Sequence, residues 1–203
     1  MAFDEEVIVP FPVARELVPM GTEFKSTWLA GSLGVLKAHG AFERYLENLP
    51  AKYHDPILRS IAGTWLPAEV AVAHYRAIDA LGIGTQERIE WGKEITKRLQ
   101  KTIFSVGFHA AREVGVTPLT MLKTFPVQFA REWIGGGTAV FRIGPKDARV
   151  EIVGFPISSI AHCRTGLRGV LGGMCELVCT KAYVSEIREL CTDSTLGYRV
   201  AWA

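Results

Sequence analysis

The chain has 203 residues, 48% of them apolar and 22% charged, and its 23 basic and 21 acidic side chains leave a net charge of +2. That length suits one domain with a sizeable core, and so balanced a charge argues against nucleic acid, which needs a clustered basic face. No apolar run approaches the roughly 20 residues of a membrane span, the acidic start Asp4-Glu5-Glu6 is not a secretory signal, and cysteines without such a signal read as reduced thiols of a cytoplasmic protein.

Residues 1–23 carry one strand-like run, Val7-Ile8-Val9, followed by Pro10, Pro12 and Pro19. Proline lacks the backbone donor that a central strand needs, so this part is expected to be an arm or edge strand and then a loop. A single domain is expected over 24–203. From 24 to 134 the pattern is helical. A first helix covers Thr27 to Lys37 and stops at His39-Gly40, where glycine permits a left-handed cap. A short one carries Phe42, Tyr45, Leu46 and Leu49 and is stopped by Pro50. A third is expected over Asp55 to Ala62, with Pro56 in the first turn. Pro67 to Leu81 keeps one apolar stripe and ends at Gly82. A long helix starts at Thr85 and runs to about Val114, with a kink expected near Ser105-Val106-Gly107. A last one spans Pro118 to Ile134, interrupted by Pro126.

The period then changes from helical to alternating. Gly135-Gly136-Gly137 reads as a flexible joint. Ala139 to Ile143 and Ala148 to Ile152 alternate at period two around a Gly144-Pro145-Lys146-Asp147 turn, the signature of a hairpin. Residues 158 to 179 return to helical spacing, and strands follow at Tyr183 to Cys191 and Tyr198 to Trp202. The fold class is therefore α+β, a helical N-terminal two-thirds packed on an antiparallel sheet of about four strands, with the 138–203 part in ββαββ order.

The most unusual feature lies on the last helix. His162, Gly166, Gly169 and Gly173 fall at i, i+4, i+7 and i+11, on one face. Each glycine costs a helix about 1 kcal/mol relative to alanine, so something must offset a row of them. Close approach of another helix or of the sheet would do so, as would a slot for an elongated apolar ligand or a symmetric partner helix. Arg164 and Arg168 beside this face suit either solvent or an anionic head group. Phe129 and Trp133 belong to an aromatic segment that fills a core or lines a pocket.

The chain offers little catalytic or metal chemistry by motif. Cys163, Cys175, Cys179 and Cys191 form no zinc knuckle and read as small buried apolar residues. The five histidines are scattered, and there is no HExxH, phosphate loop or nucleophile elbow. No metal, no cofactor and no enzymatic activity are expected.

The stretches Ala77-Ile78-Asp79-Ala80-Leu81-Gly82, Val150-Glu151-Ile152, Gly169-Val170-Leu171-Gly172-Gly173 and the ending from Cys191 through Gly197-Tyr198-Arg199-Val200-Ala201-Trp202 resemble a myxobacterial paralogous family of no established function. Its fold is shared with vinyl-reductase-type domains, transport-particle (TRAPP) subunits and heme-nitric-oxide-binding domains. The resemblance covers roughly residues 60 to 203. It implies a small-molecule or acyl-chain pocket between helices and sheet, and often a dimer. It does not imply heme: the Tyr-x-Ser-x-Arg motif of heme-binding members falls at about Ile157-Ser158-Ser159-Ile160-Ala161, which keeps only Ser159, and no histidine lies in Met121 to Ile134, where the proximal ligand belongs.

Two functions follow as expectations. One is a non-enzymatic sensory or regulatory domain that binds an apolar or acyl small molecule through His162, Gly166, Gly169, Gly173, Arg168, Phe129 and Trp133. The other is a dimeric scaffold using the glycine face, or a sheet edge, as its interface with a second copy or another protein.

Overall fold

The computed structural model describes residues 4–103 and 115–203, with side chains described for all of these except 99–103. The expected kink near Ser105-Val106-Gly107 lies outside the described residues. Among the described residues six helices precede the main hairpin: α1 (Thr27–Ala38), α2 (Phe42–Asn48), α3 (His54–Leu58), α4 (Ala68–Asp79), α5 (Thr85–Ile103) and α6 (Pro118–Glu132). Their ends follow the proline and glycine signals. Gly82 closes the α4 turn at φ +71°, and α6 opens on Pro118 beneath Thr117, whose hydroxyl oxygen accepts the Thr120 amide.

The last helix, expected over 158 to 179, spans only Ala161–Cys175, and two of the helices before the main hairpin also differ from the sequence reading. Helix α3 stops at Leu58 and not at Ala62, because the following loop is held by a partner far away in sequence. The Ser26 hydroxyl donates to the Ile61 carbonyl at 2.7 Å and accepts the Thr64 amide at 3.1 Å. Helix α6 runs through Pro126 unbroken; one missing backbone donor is tolerated where Phe125 and Phe129 anchor both sides of it in the core.

Strand β1 (Glu6–Val9) pairs with β5 (Gly137–Gly144), which pairs with β6 (Asp147–Val153); helix α7 (Ala161–Cys175) leads to β7 (Ala182–Glu186) and β8 (Thr195–Trp202). The main antiparallel sheet runs β1-β5-β6-β8-β7. It has five strands where about four were expected, since of the two expectations for the N-terminal segment, an arm or an edge strand, the edge strand is the one present. Val150 lies between Val140 and Tyr198 on the inner face, and the Tyr198 hydroxyl donates to the Arg164 carbonyl of α7 at 2.9 Å. On the outer face the N-terminal segment crosses the sheet. Arg15 reaches the nearly buried Glu151 at 3.1 Å, which Arg149 also approaches while holding Glu5 in a fork at 2.6 and 2.7 Å.

That crossing explains the glycine triplet, which is a cradle and not a flexible joint. Gly135 and Gly154 have φ +80° and +69°, and a Cβ on either would overlap the carbonyl oxygen of Met20 or Pro19. The Gly136 amide donates to the Pro19 carbonyl at 2.8 Å and the Gly21 amide to the Gly154 carbonyl at 2.7 Å.

A second small sheet joins β2 (Glu23–Lys25) to β3 (Trp65–Pro67) and β4 (Trp133–Ile134) in the order β3-β2-β4. Its inner row, Phe24 with Trp133, enters the core. There the rings of Phe24, Trp28, Phe129, Trp133 and Phe155 meet at centroid distances of 5.1 to 6.3 Å, in the stacked and edge-on arrangements aromatic pairs favour.

Candidate functional site on the glycine-bearing helix

Helix α7 is the meeting point of the fold, packing against α4, α5, α6, β7 and β8. Its first turn is capped from α4: Asp79 Oδ1 accepts the His162 amide at 2.9 Å and Arg88 Nη2 at 2.9 Å. The capping carboxylate satisfies an otherwise orphaned helix donor and suits the positive end of the helix dipole. The His162 ring is buried between Tyr75, stacked at 6.3 Å, and Trp91, edge-on at 6.0 Å. Its Nδ1, Trp91 Nε1 and Arg88 Nε are buried without partners among the described residues. Burial, helped by the Arg88 charge, lowers the His162 pKa to about 4, so the ring is neutral at physiological pH.

The glycine face does not line a cavity. Of the offsets expected for it, close approach of another helix is the one present, and the helix is α5. A Cβ on Gly169 would overlap the Ile89 carbonyl oxygen, and one on Gly173 would sit 3.1 Å from Thr96 Cβ. Helix α5 contributes Gly92, whose added Cβ would overlap the Gly166 carbonyl oxygen and lie 3.1 Å from Gly169 Cα. Glycine from both helices thus allows backbone to touch backbone. The Thr96 hydroxyl bridges the crossing to the Val170 carbonyl at 3.3 Å. An interface with a second copy through this face is excluded, because α5 covers it.

The neighbouring side of α7 is open. Arg168 and Gly172 face α5 and β7 across a groove of about 230 Å³, with Ile89, Lys93, Tyr183 and Val184 in its lining. Arg168 Nε donates to the Val184 carbonyl at 3.0 Å, and Lys93 pairs with Glu176 at 2.9 Å. A second groove of about 260 Å³ lies between the α2–α3 turn and α4, lined by Asn48, Tyr53, Glu69, Val72 and Arg76 among others.

Phe129 and Trp133 sit apart from these grooves, in the aromatic core, stacked on each other at 6.3 Å. The structure therefore brings His162, Gly166, Gly169 and Gly173 together at one helix crossing, puts Arg168 around the corner, and separates Phe129 and Trp133 from both.

Sequence reading missed a buried hydrogen-bonded triple. Ser32 Oγ meets His74 Nε2 at 2.6 Å, and Tyr45 OH meets His74 Nδ1 at 2.7 Å. The Ser32 hydroxyl donates to the Leu29 carbonyl, and Tyr45 OH has no other acceptor among the described residues, so every group is satisfied when His74 carries its proton on Nε2. Desolvation lowers the His74 pKa to about 3. His74 and Tyr45 are 0% exposed and Ser32 3%, so this serine–histidine pair meets no substrate. Burial raises the Cys163 and Cys175 thiol pKa values, which keeps both protonated and inert. Among the described residues no cluster of histidine, cysteine or acidic side chains could hold a metal, and no helix is long and apolar enough to cross a membrane.

No family model matches the sequence, and no curated protein does. Solved structures do match in fold. An oxygen-binding H-NOX (heme–nitric oxide/oxygen binding) domain related to soluble guanylate cyclases is 13% identical, with a TM-score of 0.58, covering 88% of this chain and 94% of that one. The Fe(II) unliganded H-NOX protein from K. algicida is 10% identical, with a TM-score of 0.59 and coverage of 88% and 96%. A Cs H-NOX mutant with the unnatural amino acid 4-cyano-L-phenylalanine is 12% identical at a TM-score of 0.61, with coverage of 88% and 96%. The chain thus has the α+β fold of H-NOX domains.

Heme itself does not fit the described residues. Helix α6 turns Met121, Leu122, Phe125 and Phe129 inward and has no histidine, tyrosine or cysteine. The space between α6 and the segment before α7 is filled by side chains: Phe129 meets the Phe155 ring at 5.6 Å, and Ile157 is fully buried. The Ser158 hydroxyl is buried without a partner among the described residues, and no cation stands at 157–161 to meet a propionate.

Proposed function

We propose that this chain is a non-enzymatic, cytoplasmic sensory or regulatory domain that uses the fold of heme sensors to respond to a different small molecule. The observation that carries the reading is the pairing of an H-NOX fold over 88% of the chain with an interior in which Phe129, Trp133 and Phe155 fill the space beside α6. With that interior filled by side chains, the ligand binds in a surface groove and not in an apolar pocket between helices and sheet. The likeness to vinyl-reductase-type domains, transport-particle subunits and the myxobacterial family belongs to the same proposal. A ligand acts on such a domain by preferring one packing of its two halves over another, and the α5–α7 crossing joins those halves directly.

Protein made in heme-rich cells tests this. Its visible spectrum is expected to lack a Soret band, and a panel of small metabolites is expected to contain a compound that raises the melting temperature, since a ligand at about 100 times its Kd stabilises by about 2.7 kcal/mol. Stoichiometric heme, or a panel with no stabilising member, would overturn the proposal.

A second reading, a protein-interaction module or homodimer, is favoured by one surface. The outer row of the small sheet presents Trp65 and Ile134, 37% and 44% exposed, with Ile61 in the preceding loop at 79%. Exposed apolar groups gathered in one place mark interaction surfaces. Light scattering on the eluting protein distinguishes the two readings: a dimer that Trp65→Ser dissociates supports the second.

A further inference from the structure

We propose that the groove between α5, α7 and β7 binds a small molecule with an anionic head and a short apolar body; the inference rests on the reading of the chain as a ligand-binding domain and gives that reading a site.

Three observations converge there. The first is charge. The groove lining carries Lys93 and Arg168 and no carboxylate. Lys93 is shared with Glu176, but Arg168 spends only its Nε on the Val184 carbonyl, leaving its two terminal nitrogens without a protein partner among the described residues. A guanidinium edge free to make two parallel hydrogen bonds suits a carboxylate or phosphate. Ile89, Val184 and the half-exposed ring of Tyr183 supply the apolar wall.

The second observation is a glycine that packing does not require. At Gly169 and Gly173 the neighbouring helix leaves little or no room for a Cβ. At Gly172, a Cβ would lie 3.6 Å from Val184 Cγ2 and 3.8 Å from Lys93 Cε, in ordinary contact. An alanine there would strengthen the helix, since glycine is the poorer helix former. Glycine instead leaves the groove floor lower by a side chain, one helical turn beyond Arg168 on the same side of α7.

The third observation selects the occupant. A groove beside an edge strand invites a peptide to add as a further strand. Here two of the outward backbone groups of β7 are already engaged: Glu176 accepts the Ala182 amide at 3.4 Å, and Arg168 holds the Val184 carbonyl. Strand addition would have to displace both, whereas a compact anion can use the Arg168 terminal nitrogens as they stand.

Titrating amide resonances of the ¹⁵N-labelled full chain with butyl phosphate, and separately with inorganic phosphate and with butanol, tests the site. The expected result is that butyl phosphate shifts the Gly172, Tyr183 and Val184 amides with a Kd of about 1 mM or tighter. Either fragment alone is expected to bind at least about tenfold more weakly, a difference of about 1.4 kcal/mol. Gly172→Met, which fills the floor, and Arg168→Gln, which removes the head-group contact, should each weaken binding at least about tenfold while the remaining spectrum stays folded. Unchanged affinity in folded Gly172→Met, or shifts confined to other parts of the chain, overturns the site. If butyl phosphate fails while another small molecule still raises the melting temperature, the groove falls and the broader reading stands. If nothing binds, both fall.

Discussion

The two sides of helix α7 use glycine for opposite ends. Toward α5, Gly169 and Gly173 let one helix backbone rest on another, and Gly92 answers them from across the contact. Toward β7, Gly172 touches almost nothing that a methyl would disturb. The first side trades helix propensity for van der Waals contact between main chains; the second trades it for open space. A glycine row read from sequence is therefore two features superposed, and only the neighbour at each position separates them. The functional interest moves accordingly from the crowded side, where His162 lies, to the open one, where Arg168 lies.

The sharpest way to break this comparison is a methyl on the crowded side. Gly169→Ala drives a Cβ into the Ile89 carbonyl and within 2.9 Å of the Lys93 amide nitrogen. Neither obstacle is the end of a flexible side chain, so the helices must separate. The expected cost is about 3 kcal/mol or more, at the upper end for overpacking, and Gly92→Ala should match it because its Cβ meets the Gly166 carbonyl. Urea denaturation measures both. A loss below about 1 kcal/mol would mean the crossing is looser than described.

The crowded side also holds the acid sensitivity. His162 and, one layer further in, His74 have folded-state pKa values lowered to about 4 and about 3, chiefly by desolvation. Each lies below the unfolded value of about 6.5, so the unfolded chain binds protons first. The stabilisation is complete above about pH 6.5 and is lost as the pH falls toward the folded values. By pH 5 each histidine should have cost up to about 2 kcal/mol, at 1.36 kcal/mol per unit. Stability measured from pH 7 to pH 5 should fall, with the slope reduced in His162→Gln. A flat profile, or an unchanged slope in that variant, would place His162 in contact with water.

The sequence makes some of this legible and hides the rest, for reasons of range. Helix ends and the main hairpin are local matters, and Pro118, Gly82, Gly40 and the Gly144–Asp147 turn mark them without reference to distant residues. The five-stranded sheet is harder, because β1 joins it across more than 130 positions, and the small sheet is harder still, with strands of two and three residues. The row His162, Gly166, Gly169, Gly173 announces close approach but not its partner. The clue was Gly92, a lone glycine inside the helical pattern of α5 and otherwise unexplained. The Ser32–His74–Tyr45 triple joins three separate helices, and no spacing rule reaches across them. Arg168 stands out for its charge and Gly172 as one more glycine of the helix, but no spacing rule tells that Gly172 lies off the crowded face and beside Arg168.

The mildest substitution gives the finest test of the contrast. Gly172→Ala places a methyl at 3.6 Å from Val184 Cγ2, where it gains contact without displacing anything. The folded helix has a right-handed backbone at this position, so alanine narrows the unfolded ensemble without straining the native one. The protein should become more stable by about 0.5 to 1 kcal/mol, opposite in sign to Gly169→Ala three residues away. Thermal unfolding of the two variants side by side reads that difference. A loss of stability at both positions would mean that α7 is packed tightly on both sides and that the β7 groove is closed in solution. A gain at Gly172 alone leaves the glycine there without a structural purpose, and the space it opens above Lys93 and Arg168 as its remaining physical consequence.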